Sequence, residues 1–302
     1  MGRAELAALR GRLAALPTLR EGLAAAGFDA RGTKRSLGQH FLFDLNLTDK
    51  IARSARAPGA PSDAALLGAT VVEVGPGPGG LTRSLLAAGA EVVAVEKDER
   101  VAAVLASLVD AAEGRLTLHV DDALAVDWTA LAPRGAIICA NLPYNVATPL
   151  IVNWLTAPWP LWWRSATVMV QREVGARLVA APGEDDYGRL AVLTGVRASA
   201  TRLFDVPPSA FVPPPKVWSS VVRLDPSTAS DAPVAMLEAV TAAAFGQRRK
   251  MLRSSLKTLT KDPEALLAEV GIMPTERAER VPVADFVRLA EAHAAMTARA
   301  KP

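Results

Sequence analysis

The chain of 302 residues holds a single cysteine, Cys139. One thiol excludes a disulfide framework within the chain and fits a reducing compartment. Cys139 lies inside the apolar run Ala136-Ile137-Ile138-Cys139-Ala140, where a small buried hydrophobe is expected rather than a reactive thiol. Histidine is also scarce: His40, His119 and His293 are all there are, and no metal centre is expected. No unbroken apolar stretch reaches the roughly 18 residues of a spanning helix, so no membrane association is expected. The Ala/Leu/Arg-rich start lacks a compact hydrophobic region ending in a cleavage site, which argues against a secretory leader. Charge is nearly balanced, with Lys+Arg 34 against Asp+Glu 31 for a net +3, yet the basic residues cluster and suggest a polyanionic partner. The length supports two domains with ample core.

What is present begins with Thr70-Val71-Val72-Glu73-Val74, a short buried strand. It runs into Gly75-Pro76-Gly77-Pro78-Gly79-Gly80 and then into the helically spaced Leu81-Thr82-Arg83-Ser84-Leu85-Leu86. Strand, glycine loop and helix form a nucleotide-binding βα unit, in which glycine permits a tight turn and close approach of ligand to backbone. A second strand, Glu91 to Val95, ends on Glu96, at the distance where an acidic side chain meets ribose hydroxyls. Gly75, Gly77 and Gly80 also satisfy the dinucleotide pattern, which keeps a nicotinamide enzyme as a rival, but nothing downstream resembles a hydride-transfer site. The strand Leu116 to Val120 leads to Asp122, a carboxylate able to accept from an adenine amino group. The run through Cys139 ends on Asn141-Leu142-Pro143-Tyr144. That tetrapeptide offers a carboxamide oxygen, a backbone carbonyl beside a rigid ring, and an aromatic face. An adenine amine needs such a set to act as a nucleophile, because its lone pair is delocalised until acceptors draw the nitrogen toward tetrahedral geometry. A turn with a packed Tyr accounts for the four residues equally well when they are taken alone. With Glu96 and Asp122 on the neighbouring strand tips, S-adenosylmethionine plus an amine acceptor describes the set better than NAD.

Five ordered motifs carry a resemblance: Lys34 to Leu42, Glu73 to Thr82, Asn141 to Asn145, Phe211 to Val217 and Ala244 to Lys250. Together they resemble the ribosomal RNA adenine N6,N6-dimethyltransferase family, most closely its bacterial small-subunit branch, from about residue 34 nearly to the C-terminus. The resemblance implies a Rossmann-like α/β methyltransferase domain over residues 1–225 and a small all-helical, rRNA-binding domain over 226–302. It implies S-adenosylmethionine as cofactor, held by His40, Leu42, Gly75, Gly77, Glu96, Asp122 and Asn141. Catalysis falls to Asn141, Leu142, Pro143 and Tyr144, with the Phe211 ring presented to the target adenine opposite Tyr144; the second acceptor is the carbonyl of either Leu142 or Pro143. The implied substrate is a pair of adjacent adenosines in the 3′-terminal hairpin of 16S rRNA within the small subunit, acted on by a monomer in the bacterial cytoplasm. Alternatives within the family are a large-subunit enzyme of the resistance type, and a ribosome assembly factor or mitochondrial transcription factor with catalysis secondary. One position departs from the pattern: His40 stands where the loop motif usually has Asn, contacting the methionine part of the cofactor. A neutral imidazole still donates one hydrogen bond, but its charge changes near neutral pH, and a cation beside a sulfonium weakens binding.

The remaining segments complete the expected architecture. Thr18-Leu19-Arg20-Glu21 reads as a capping box within an ordered helical extension over residues 1–30. Ala166 to Val170 is another buried strand, followed by an amphipathic helix from Arg172 to Ala180. Strands near Ala198–Phe204 and Val217–Leu224 flank a proline-rich loop expected to make no ladder hydrogen bonds. Trp154, Trp159, Trp162 and Trp163 are expected in a packed surface loop. Beyond a polar linker after Asp225, apolar spacing predicts one helix from Val234 through Lys257, a capped helix after Asp262-Pro263 that stops at Gly271, and a final helix from Val283. Arg248, Arg249, Lys250, Arg253 and Lys257 are the expected phosphate contacts, with Arg31, Lys34 and Arg35 as a second anchor.

Overall fold

In the computed structural model, residues 1–25, 40–56, 66–227 and 233–299 are described. Arg31 and the Lys34 to Gln39 part of the first motif lie outside them. Two compact units result: Met1–Trp154, Pro160–Gly175 and Thr201–Asp225 form the first, and Leu155–Trp159, Ala176–Ala200 and Pro226–Pro302 the second. The helical unit thus takes in two segments that precede residue 225.

Among the described residues there are nine strands, in chain order and almost wholly in the first unit: β1 (Phe41–Leu42), β2 (Thr70–Val74), β3 (Glu91–Glu96), β4 (Leu116–Val120), β5 (Ala136–Asn141), β6 (Trp163–Gln171), β7 (Ala198–Val206), β8 (Phe211–Val212) and β9 (Ser219–Pro226). Seven of them form one sheet in the order β4-β3-β2-β5-β6-β9-β7, parallel from β4 through β6, with β9 antiparallel to β6. Chain order reverses between β2 and β5. In an open α/β sheet that switch point leaves a crevice at the carboxyl ends of the two strands, so the glycine loop and Asn141 to Tyr144 open onto the same place.

The central parallel strands are largely apolar, as expected where helices cover both faces of a parallel sheet. Val71, Val72, Ile137, Ile138, Cys139 and Val168 are fully buried, and burial pushes the Cys139 thiol well up. Helix Gly80–Ala87 follows β2 and buries Leu85 and Leu86. Of the extension expected over residues 1–30, the described part to residue 25 holds two helices, Arg3–Ala15 and Leu19–Ala25, and residues 26–30 lie outside the described residues. Its capping box is formed: Glu21 N–H donates to Thr18 Oγ1 at 3.3 Å and Thr18 N–H to Glu21 Oε2 at 2.8 Å. Trp154, Trp162 and Trp163 are buried, with Trp162 stacked on Trp128 at 5.7 Å.

The proline-rich loop differs from expectation. Phe211 and Val212 form β8 and pair antiparallel with β1, Phe41 opposite Val212 and Leu42 opposite Phe211. Phe211 and Val212 lie between Pro207-Pro208 and Pro213-Pro214-Pro215, so both keep their N–H groups for a ladder.

The second unit is helical, with Arg189–Arg197, Val234–Gly246, Pro263–Glu269 and Val283–Arg299 among its elements. Asp262 caps its helix by accepting from Ala265 N–H at 3.0 Å, and Gly271 takes a left-handed φ of 71° after it. The single helix expected over 234–257 is two: the first ends at Gly246 and a short one spans Leu252–Ser255. Met251, counted as an apolar face position, is 39% exposed, and its backbone bridges to Arg277 instead.

Candidate active site

The glycine loop is shaped by its backbone. Gly75, Gly77 and Gly79 have φ of 66°, 55° and 88°, where an L side chain is strained. A Cβ at Gly77 would also meet the Phe41 ring at 3.0 Å, and one at Gly75 the Pro143 ring at 3.3 Å. The loop therefore packs against β1 on one side and Asn141 to Tyr144 on the other. Around it lies an open, solvent-continuous cleft. His40, Leu42, Gly75, Gly77, Glu96, Asp122, Asn141, Leu142, Pro143 and Tyr144 all line it. Among the described residues no group of acids, histidines and cysteines could hold a metal.

Glu96, at the tip of β3, is 8% exposed. Its carboxylate accepts from Asp98 N–H at 2.9 Å and from Gly77 N–H at 3.4 Å, which ties it to the glycine loop. Burial raises its pKa despite these donors. The Lys97 backbone N–H adds to these donors, and the carboxylate lines the cleft, where its remaining acceptor capacity suits sugar hydroxyls. Asp122 is more exposed. Lys97 Nζ lies 2.6 Å from Oδ2 and Leu124 N–H donates to Oδ1 at 3.0 Å, and the Lys97 contact holds the carboxyl below its ordinary value.

Asn141, the last residue of β5, points its Nδ2 at the His40 carbonyl, 3.3 Å away. That bond uses the amide as a donor and turns Oδ1 toward the cleft as an acceptor. The Pro143 carbonyl already accepts from Val146 N–H at 3.1 Å and Ala147 N–H at 3.0 Å, opening the next helix. Both its lone pairs are used, so the Leu142 carbonyl is the free backbone acceptor beside Asn141. Tyr144 is fixed by a 2.6 Å hydrogen bond between its hydroxyl and Ser219 Oγ, and burial raises its pKa.

His40 and Phe211 are placed differently from expectation. The His40 Nδ1 lies 2.8 Å from the Pro213 carbonyl, which requires that nitrogen to carry the proton. The donor that a neutral imidazole has is thereby spent within the protein, and only Nε2 is left for a ligand. The ring neighbours Tyr144 at 5.4 Å and Phe211 at 6.5 Å. Phe211 itself is 2% exposed, packs in the core with Leu42, Met169 and Val221, and does not line the cleft. The pairing of β8 with β1 holds its ring in that core, and His40 is the aromatic ring beside Tyr144 on the cleft wall.

Sequence reading passed over Glu73. It is 1% exposed, lines the cleft behind the glycine loop, and accepts from Thr82 Oγ1 at 2.7 Å. Burial pushes its pKa up to about 8, with the Glu96 charge adding to the effect. A lone acid in an apolar strand immediately before a glycine loop is a signal that could have found it.

The expected phosphate contacts lie in the helical unit, all exposed, between the end of helix Val234–Gly246 and Lys257. Arg248 is engaged, by Glu279 at 3.4 Å and by the Asp185 carbonyl. Arg249, Lys250, Arg253 and Lys257 project without such partners among the described residues.

A family model described as ribosomal RNA adenine dimethylase matches residues 30–295. Ribosomal RNA small subunit methyltransferase A of Azorhizobium caulinodans is 57% identical over 282 residues, covering 92% of this chain and 93% of that protein. The protein of the same name from Phenylobacterium zucineum is 55% identical, covering 93% and 94%. Among solved structures, a dimethyladenosine transferase from Plasmodium falciparum superposes with a TM-score of 0.68 at 26% identity, covering 83% of this chain and 96% of that one. The 23S rRNA methyltransferase ErmE shares the fold, with a TM-score of 0.62 at 24% identity over 84% and 99%.

Proposed function

Because the chain belongs to the ribosomal RNA adenine dimethylase family, we propose that it methylates the N6 amines of two adjacent adenosines in the 3′-terminal hairpin of 16S rRNA. Each amine is methylated twice, with S-adenosylmethionine as donor and the small ribosomal subunit as substrate, as part of small-subunit biogenesis. The names of the similar curated proteins favour the small subunit over the large-subunit alternative.

The cleft fits that cofactor. Gly75 and Gly77 leave a cradle that any Cβ would fill, Glu96 keeps acceptor capacity for a ribose diol, and Asp122 retains a lone pair for an adenine amine. When bound, S-adenosylmethionine supplies a methyl group on a sulfonium with a neutral thioether as leaving group.

The observation that carries the proposal is the Asn141 amide pinned to the His40 carbonyl beside the free Leu142 carbonyl. Asn141 Oδ1 and Leu142 O accept the two amine hydrogens, which draws nitrogen out of conjugation and aims its lone pair. Tyr144 holds the base by stacking, its ring fixed by Ser219. The base reaches this pocket only after leaving its stack, at a cost of a few kcal/mol. As the N–C bond forms the amine proton becomes acidic and is lost to water, so no side-chain base is needed. The chain contributes position and electrostatics. Arg249, Lys250, Arg253 and Lys257 hold RNA phosphates on the helical unit.

The test is transfer of labelled methyl groups to small subunits from cells lacking the modification, with unmodified large subunits and DNA in parallel. Label should approach two methyls on each of two adenosines of the small subunit. Label on the large subunit instead, or none despite subunit binding, would overturn the assignment.

A further inference from the structure

We propose that a groove on the first unit, apart from the methyltransferase cleft, binds the phosphodiester backbone of a single-stranded stretch of the RNA substrate. The proposal rests on the RNA-methyltransferase reading above. The groove has about 1220 Å³ of open space. It is walled by the elbow between helices Arg3–Ala15 and Leu19–Ala25, by the start of helix Leu45–Ser54, and by one side of helix Gly80–Ala87.

Three guanidiniums line it, from Arg10, Arg20 and Arg83. Arg83 is half-buried, and its Nε is shut off from water with no hydrogen-bond partner among the described residues. A cation in that state lacks the acceptor that burial normally demands. Arg20 lies over the Phe43 ring at 4.6 Å, which holds one face of its planar fork and leaves the other for a base. Arg10 gives its Nε to the Ala87 carbonyl at 2.8 Å and keeps its terminal nitrogens. One acid, Asp49, shares the groove, and among the described residues it pairs with none of the three. The remainder of the lining is largely apolar, with Leu45 48% exposed.

Three groove-lining guanidiniums, none of them paired with a carboxylate on the groove, suit the oxygens of a phosphate, which Arg meets bidentately through its accessible terminal nitrogens. An apolar floor with a stacked cation suits the base attached to it. The groove is also near the chemistry. Arg83 lies one helical turn after Gly80, and the Leu19 side chain on the groove floor ends 3.1 Å from where a Cβ on Gly80 would stand. Nucleotides flanking a base held in the cleft can therefore reach it.

The experiment uses the full chain and a labelled RNA hairpin bearing the two target adenosines with single-stranded flanks. Binding is followed by fluorescence anisotropy over a series of salt concentrations. Arg83→Gln and Arg20→Gln should each weaken binding and flatten the dependence of log Kd on log salt by about 0.7, the value for one single-strand phosphate no longer neutralised. Arg53→Gln, which removes an exposed charge from helix Leu45–Ser54 outside the groove, should leave the slope unchanged. S-adenosylmethionine affinity by calorimetry should match wild type in all three. Wild-type slopes for both groove variants, in a chain that still methylates the hairpin, would overturn the groove alone. Displacement of the RNA by an acidic peptide but not by inorganic phosphate would reassign the groove to a protein partner. A wild-type chain that neither binds nor methylates the hairpin or small subunits would overturn the functional reading along with it. Arg20 is exposed, so its variant reads the groove even if the half-buried Arg83 proves necessary for folding.

Discussion

At Asn141 the side-chain N–H ties β5 to the His40 backbone at 3.3 Å, and the proposed mechanism gives its oxygen the task of accepting from the target amine. Asn141→Ala should lower methyl transfer by at least about a hundredfold, the usual cost of losing one preorganised hydrogen-bonding group, with S-adenosylmethionine affinity changed far less. Calorimetry beside a methylation assay checks the split, and parallel loss of both would count against the acceptor role. Glu73 gives a second prediction at this scale. Its folded pKa of about 8 stands above the ordinary 4.5, so the folded chain holds a proton that the unfolded chain releases. Stability from this group is full below pH 4.5 and is lost as pH rises through 8, with a slope of at most about 1.4 kcal/mol per pH unit between them. Glu96, also raised by burial, acts in the same direction. Glu73→Gln keeps an acceptor for Thr82 and should remove only the Glu73 share of that slope. Chemical denaturation at several pH values would show it, and an unchanged slope would mean that Glu73 is ionised in the folded state.

Among the elements, the glycine loop tolerates little change. Gly79 has φ of 88° and faces Leu108 and Leu105, whose methyls lie 2.7 and 2.8 Å from where its Cβ would stand. Gly79→Ala should therefore cost roughly 2–4 kcal/mol, combining left-handed strain with overpacking, visible as a lower denaturation midpoint. A loss below about 0.5 kcal/mol would mean that the two leucines yield freely. This element was legible in the sequence because an apolar run, a cluster of glycines and a helical period follow one another within one short segment. The capping box at Thr18 and the Pro at the first turn after Asp262 were legible for the same reason: each is a local pattern with a local cause. The β1–β8 pair was not. Two-residue strands carry no periodicity, and their partners are far apart in the chain, so nothing local announces that Phe211 turns into the core. The break after Gly246 was hidden by the opposite effect. Gln247, Arg248, Arg249 and Lys250 all favour helix, and the apolar spacing runs on to Met251, whereas backbone bonding of Met251 to Arg277 takes the chain elsewhere.

For the whole molecule, the recognition of a large polyanion has to be separable from the chemistry of one amine, because the basic strip and the cleft belong to different units. Arg248 is occupied by Glu279 and the Asp185 carbonyl, which leaves Arg249, Lys250, Arg253 and Lys257 as the strip available to phosphate. Near-balanced net charge means that localised cations, this strip among them, and not a general field supply the salt-dependent part of binding. Replacing those four by Gln should raise KM for small subunits and reduce the salt slope by up to about 0.7–0.9 for each phosphate released. Affinity for S-adenosylmethionine and kcat at saturating subunit should stay near wild type. Arg248→Gln should behave differently, lowering the stability of the helical unit by removing its bonds to two partners while changing the slope little. Filter binding over a salt series and thermal denaturation distinguish the two kinds of arginine. If Arg248→Gln flattened the slope as much as its neighbours do, its bonds to Glu279 and Asp185 would have to yield on binding RNA. The strip would then hold five phosphate anchors, as its sequence alone suggests, and one of them would be borrowed from the fold.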